Sequence, residues 1–196
     1  MRLRRPPTSA FTVPAAAATA VLLAATGASA TVGTAHPAGL SRLGTCQEKA
    51  LSVKAAPGGL ENVVRISVTN HGGSGCVVDR IPTITFAGLD GSAQTVPPAE
   101  SGPYTLARGK RAYAALRTAD PASTEGHFVG TLSVSADPSH YGATFGAAAV
   151  GMPHGIHVWE PITTLWHGSA AAASSALADA LRQIRCALTP APVVRG

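Results

Sequence analysis

Two short stretches hold the residue types from which a reactive or metal-holding site could be built. The first, His71-Gly72-Gly73-Ser74-Gly75-Cys76, sets a histidine and a serine among three glycines beside a cysteine. A hydrolase elbow needs Gly-x-Ser-x-Gly between a strand and a helix, so that the serine projects from a sharp turn. Here Ser74 runs through Gly75 and Cys76 into another apolar segment. A bend is the better reading, with Asn70 and the glycines supplying positive φ; a secreted hydrolase is the least favoured function. The second stretch is Met152-Pro153-His154-Gly155-Ile156-His157-Val158-Trp159. If it is extended, Met152 and His154 share one strand face and His157 takes the other. Thioether with imidazole suits copper, and a third ligand would have to arrive from His71, His127, His140 or His167. Exposed loop histidines are the plainer alternative.

Other polar and aromatic residues are less organised. Asp79, Asp90, Asp137 and Glu160 are scattered at turns or strand ends, where solvation or local backbone bonding accounts for them. Trp159, Trp166 and Tyr141 offer aromatic faces for a sugar-binding platform. In a chain with so few aromatic residues, the core is their more ordinary place.

These residues must be positioned by strands. Leu51, Val53 and Ala55 alternate with Ser52 and Lys54, and Val64, Ile66 and Val68 alternate with Arg65, Ser67 and Thr69. Such alternation marks half-buried strands. Ile84 and Phe86 point inward in the next run, whose start Pro82 demotes to an edge or bulge. Asp90-Gly91 supplies the chemistry of a tight hairpin, and Ala107-Arg108-Gly109-Lys110 turns the chain into a strand facing inward with Ala112, Ala114 and Leu116. Leu132, Val134, Val158 and Ile162 are later core candidates. Short strands with frequent turns predict an antiparallel all-β sandwich over 46–168.

The pattern changes at Ser169, a plausible cap for an amphipathic helix over 169–188 whose stripe is Leu177, Leu181, Ile184 and Leu188. Cys186 falls about 180° from that stripe, which leaves it unpaired or available for an intermolecular disulfide. The helix is expected either to cover a sheet edge or, itself or through Cys186, to join a partner chain. Residues 189–196 read as a disordered tail.

Cysteine use and the N-terminus place the chain outside the cytoplasm. Arg2, Arg4 and Arg5 precede an apolar stretch and the small triplet Ala28-Ser29-Ala30, the pattern of a signal peptide over 1–30 cleaved after Ala30. Pro14 and a run rich in alanine argue against a membrane anchor across a core of about 30 Å, and Cys46 with Thr45 before it lies too far downstream for lipidation. Residues 31–45 read as a flexible tether. Loss of the leader removes three of the 15 basic residues, which brings them close to the 10 acidic ones. No basic cluster interleaved with aromatics remains, so nucleic acid is not an expected partner. If the first two strands pair through Pro57-Gly58-Gly59, Cys46 lies opposite the low seventies, within reach of Cys76. That pair is the favoured disulfide.

Taken in order, Cys46, Thr69–Cys76, Ile81–Ser92 and Tyr104–Arg117 resemble the exported actinobacterial domain of unknown function 4232 family over about residues 46–165. Asp79-Arg80-Ile81-Pro82 departs from the family's glycine and aromatic before proline, and Cys186 follows a helix. The resemblance implies a secreted or cell-surface immunoglobulin-like β-sandwich, and brings no catalytic residue, cofactor or substrate. The expected function is a non-catalytic binding or interaction module at the cell envelope, recognising an envelope or extracellular ligand. The alternatives are an extracytoplasmic copper-binding protein using Met152 and His154, and the hydrolase; Trp159 and Trp166 are the candidate binding residues.

Overall fold

The computed structural model describes residues 43–188, so the leader, most of the tether and the tail lie outside the described residues. After a short 3₁₀ turn at Glu48–Ala50, the strands are β1 (Leu51–Pro57), β2 (Val63–Asn70), β3 (Cys76–Asp79), β4 (Thr83–Phe86), β5 (Gln94–Thr95) and β6 (Pro103–Leu106). They continue with β7 (Arg111–Arg117), β8 (His127–Val129), β9 (Thr131–Ser135) and β10 (Ala143–Gly146). A second 3₁₀ turn at Ala147–Val150 leads to β11 (Ile156–Val158), β12 (Ile162–Thr163) and the helix α1 (Ala170–Leu188). Among the described residues, the regular structure is thus mostly β-strand, with one helix at the C-terminal end.

A five-stranded sheet runs β1-β2-β7-β12-β5, a three-stranded sheet runs β10-β9-β4, and two ribbons pair β11 with β8 and β3 with β6. The sheets stay open. Alternation sets which side chains go inward. Val64, Ile66 and Val68 of β2 register against Leu116, Ala114 and Ala112 of β7, and all six are fully buried. They meet Ile84, Leu132 and Val134 from the three-stranded sheet, together with Val78, Leu106, Val129 and Ile156 from the ribbons, in one core cluster. Each branched aliphatic side chain buried there contributes about 1.5–3 kcal/mol.

The helix covers the outer face of the larger sheet. Val63, Ala115 and Ile162 form a second apolar cluster with Ala173 and Leu177 of α1, so Ile162 is a core residue under the helix. Ser169 caps the helix: its Oγ accepts the Ala172 N–H at 3.1 Å. The expected stripe is only partly used. Leu177 is 3% exposed, whereas Ile184 is 36% exposed, and Ala173 and Ala180 are buried in its place. Residues 182–186 are all exposed, which includes the free Cys186; packing on the sheet reaches as far as Ala180 and Leu181.

Several expectations are corrected by the topology. Asp90-Gly91 does not close a hairpin. Strand β4 pairs with β9, whereas β5 pairs with β12 in parallel, so this loop carries the chain from one sheet to another. The sheets are thus not wholly antiparallel. Ala107–Lys110 does form a tight turn, with Lys110 N–H donating to the Ala107 carbonyl at 3.0 Å, but its flanking strands β6 and β7 belong to different sheets. The tether ends earlier than expected as well. The Gly44 carbonyl accepts the Val77 N–H at 3.0 Å, and Thr45 bridges Val77 in parallel.

Candidate functional site

The glycine-rich stretch His71–Cys76 is held by a disulfide and by one buried asparagine. Cys46 and Cys76 form a disulfide with a Cα separation of 4.9 Å, and the Cys46 N–H donates to the Val77 carbonyl at 2.8 Å. Asn70, fully buried at the end of β2, organises the loop between them. Its amide nitrogen donates to the carbonyls of Ser74 at 2.9 Å and Leu106 at 3.0 Å, and lies 3.3 Å from the Cys76 sulfur. Its Oδ1 accepts the Gly72 N–H at 2.8 Å. This local Asx bond competes with strand pairing and ends β2. The expectation of positive φ among these glycines is wrong: Gly72, Gly73 and Gly75 all stay outside that region. Close approach is what demands Gly72, since a Cβ there would sit 2.9 Å from Asn70 Oδ1. Ser74 leads into strand β3 through Gly75, so no strand-to-helix elbow is formed.

The ribbon of β8 and β11 organises two other clefts. Phe128 registers opposite His157, and His127 opposite Val158. Directly opposed residues share a face and successive ones alternate, so the ribbon presents Phe128 with His157 on one side and His127 with Val158 on the other. The Phe128 and His157 rings stack, with centroids 4.9 Å apart and planes inclined by 16°.

On the Phe128 side lies a cleft of about 320 Å³ lined by Leu60, Glu61, Pro121, Met152, His154 and His157 among others. Met152 and His154 are not on a strand face, as the alternation argument assumed. They sit in a turn closed by the Gly155 N–H donating to the Met152 carbonyl at 3.0 Å, with Gly151 before it at φ 84° and Gly155 at φ 114°. The turn brings Met152, His154 and His157 to the same cleft, a grouping that period-two reasoning denied. His157 Nε2 lies 2.6 Å from the Glu125 carbonyl. A carbonyl only accepts, so Nε2 carries the proton and, in the neutral ring, Nδ1 keeps its lone pair. Among the described residues, no three His, Cys, Asp or Glu side chains gather as a metal-holding group; a metal here would need the Met152 thioether. His71, His127, His140 and His167 do not line this cleft.

Leu60, 74% exposed, and Phe128, 70% exposed, flank the same opening. A neighbouring hollow of about 520 Å³ reaches Leu181 and Arg185 of α1 and shares Leu60, Glu61, Val63 and Pro121 with it. The two make one largely apolar groove. Sequence reasoning missed Leu60 and Phe128; a bulky apolar residue in Gly58-Gly59-Leu60-Glu61-Asn62, where a turn should be polar, was the available signal.

On the other side of the ribbon, Trp159, Glu160, His127, Asp90 and Ser92 line a cleft of about 270 Å³. Trp159 is 38% exposed, but Trp166 is 4% exposed and packs in the core, and Tyr141 lines neither cleft. Trp166 thus takes the core place that is the more ordinary one for an aromatic residue, and of the two candidate binding residues only Trp159 lines a cleft. Burial raises the Tyr104 phenol above its ordinary value. At Asp137 burial pushes the carboxyl up, but bonds from the Ser139 hydroxyl and N–H, with the nearby His140, outweigh it and hold the group below its usual range.

Among the described residues, no helix is long and apolar enough to cross a membrane. No curated protein and no solved structure matches the chain. One family model does, over residues 46–164, which begins at the first half-cystine and ends just after β12. The chain thus belongs to the family described as a domain of unknown function, DUF4232.

Proposed function

We propose that the protein is an exported, immunoglobulin-like β-sandwich that acts as a non-catalytic binding module at the cell envelope, and that it takes its partner in the groove flanked by Leu60 and Phe128. The observation that carries this reading is the exposure of those two large apolar side chains at one opening. Contiguous exposed apolar surface is costly in water and marks contact sites. The disulfide at Cys46–Cys76 and the buried Asn70 supply a stiff scaffold, so loops can carry recognition without unravelling it. Export through the Arg-led leader is part of the proposal and agrees with a disulfide, which persists in oxidising compartments.

The test is sedimentation of purified protein with the source organism's isolated envelope. The wild type sediments with it and the Leu60→Asp/Phe128→Asp double variant stays in the supernatant. Equal sedimentation of both would remove the groove from the account. N-terminal mapping of secreted material should begin at Thr31.

A second reading is favoured by a separate observation, the convergence of Met152, His154 and His157 on this groove with His157 oriented by the Glu125 carbonyl. A ligating imidazole characteristically donates its other N–H to such a group, and thioether with imidazole favours copper in its reduced state. Saturable copper(I) uptake that disappears in Met152→Ala/His154→Ala supports it; a titration with no uptake removes it.

A further inference from the structure

We propose that the cleft beside Trp159, on the opposite side of the β8–β11 ribbon from the Leu60 groove, is a saccharide site. The inference stands apart from the proposed envelope contact and rests on three observations. The first is the indole itself. Trp159 and Trp166 lie seven residues apart in sequence, yet one is 38% exposed on a cleft wall and the other 4% exposed in the core. A half-exposed indole at a cleft is a side chain that can stack on the C–H face of a sugar ring.

The second is the condition of the polar groups around it. Asp90 and Ser92 come from the crossover loop, His127 from the start of β8, and Glu160 from the segment before β12. Asp79, Asp120, Asp137 and Asp179 are each held by hydrogen bonds from neighbouring side chains or backbone N–H groups. Among the described residues, Asp90 has no such bond, and neither do the side chains of Ser92, His127 and Glu160. Four polar residues from three separate segments thus line one hollow, and their exposed side chains make no hydrogen bond within the protein. Sugar hydroxyls are donors suited to carboxylates, and bonds to an ionised acceptor are the stronger kind.

The third is the backbone that sets the indole. Glu160 adopts φ 44°, an uncommon conformation for a non-glycine residue, directly before Pro161. Residues held in such regions collect at ligand sites. The Trp159 backbone N–H donates to the Thr118 carbonyl at 2.9 Å, and the Val158 carbonyl leaves no room for a side chain at Gly126, whose Cβ would sit 2.4 Å from it. The segment that presents the ring is therefore pinned from two sides. A hollow of about 270 Å³ falls just below the range of about 300–1,000 Å³ usual for drug-sized ligands, which suits one ring of a short saccharide. With Asp90 and Glu160 on the wall, neutral sugars are accepted and anionic ones repelled.

The experiment is titration calorimetry of the full secreted chain against chitotriose, maltotriose, cellotriose and, as the anionic control, digalacturonic acid, each at millimolar concentration. At least one neutral trisaccharide binds saturably and the uronic disaccharide does not. Trp159→Ala weakens that binding about tenfold or more, equivalent to about 1.4 kcal/mol. Asp90→Asn, on an exposed loop and so safe for folding, weakens it severalfold. Leu60→Asp/Phe128→Asp leaves it unchanged, which separates this site from the envelope groove. No binding by any of the neutral sugars, or binding unaltered in both Trp159→Ala and Asp90→Asn, would overturn the proposal.

Discussion

Replacing Leu177 by alanine tests whether α1 is part of the domain's stability or only lies on it. Leu177 is 3% exposed and packs with Val63, Ala115, Ile162 and Ala173. A buried Leu→Ala change costs about 2–5 kcal/mol, the spread reflecting how far the site collapses. This cluster is small and lies near the surface, so the lower end applies, about 2–3 kcal/mol. For a domain of this size each kcal/mol moves Tm by about 2–4 °C, which gives a fall of roughly 5–10 °C. Ile184 is the internal control. It lies on the stripe drawn from the sequence but is 36% exposed, and Ile184→Ala should change stability by less than about 0.5 kcal/mol. Thermal melts followed by circular dichroism, with hydrogen exchange of α1 alongside, read both variants. Equal shifts would refute the packing argument. A loss of exchange protection confined to α1, with Tm unchanged, would refute it too, because the helix would then unfold as a separate unit.

Three further outcomes follow from local geometry. The Cys46→Ala/Cys76→Ala double variant should lose about 3.5 kcal/mol in urea unfolding, from the loop of 30 residues that the bridge closes. Asn70→Ala strips the Ser74 and Leu106 carbonyls of their donor and should cost about 3 kcal/mol, measured the same way; a loss below about 1 kcal/mol would show that the loop holds itself. Asp137→Asn removes a carboxylate whose ionised form is favoured in the folded state. A carboxyl lowered on folding stabilises above its unfolded value and loses that contribution as pH falls through its folded value. The Tm gap between wild type and Asp137→Asn should therefore be present at pH 6 and shrink below about pH 4; a gap independent of pH would contradict it.

Much of the scaffold could be read from the chain because it rests on local periodicity. The inward sets Val64, Ile66, Val68 and Ala112, Ala114, Leu116 are where alternation puts them, and the Cys46–Cys76 pair follows from the hairpin that brings its ends together. What failed was information that local patterns do not hold. Asp90-Gly91 specifies a reversal of the chain, but nothing in the pair states that β5 will join β12 in another sheet. The helix stripe fixed a face and not the extent of the sheet beneath it, so Ile184 was overcounted. At Met152 and His154 the error lay in assuming an extended strand: Gly151 and Gly155 with positive φ on either side make a turn, and the turn gathers Met152, His154 and His157 that alternation would separate. The Trp159 cleft draws residues from three segments distant in sequence, and only the folded chain brings them together.

The proposal of a rigid sandwich that recognises its partner through the Leu60 and Phe128 groove is tested most directly by hydrogen–deuterium exchange of the secreted protein with and without solubilised envelope. New protection should concentrate in peptides covering 57–63, 128 and 150–157, the segments that line the groove, and the 70–76 loop should exchange as before. Protection centred on 70–76, or none anywhere despite sedimentation with the envelope, would contradict the account.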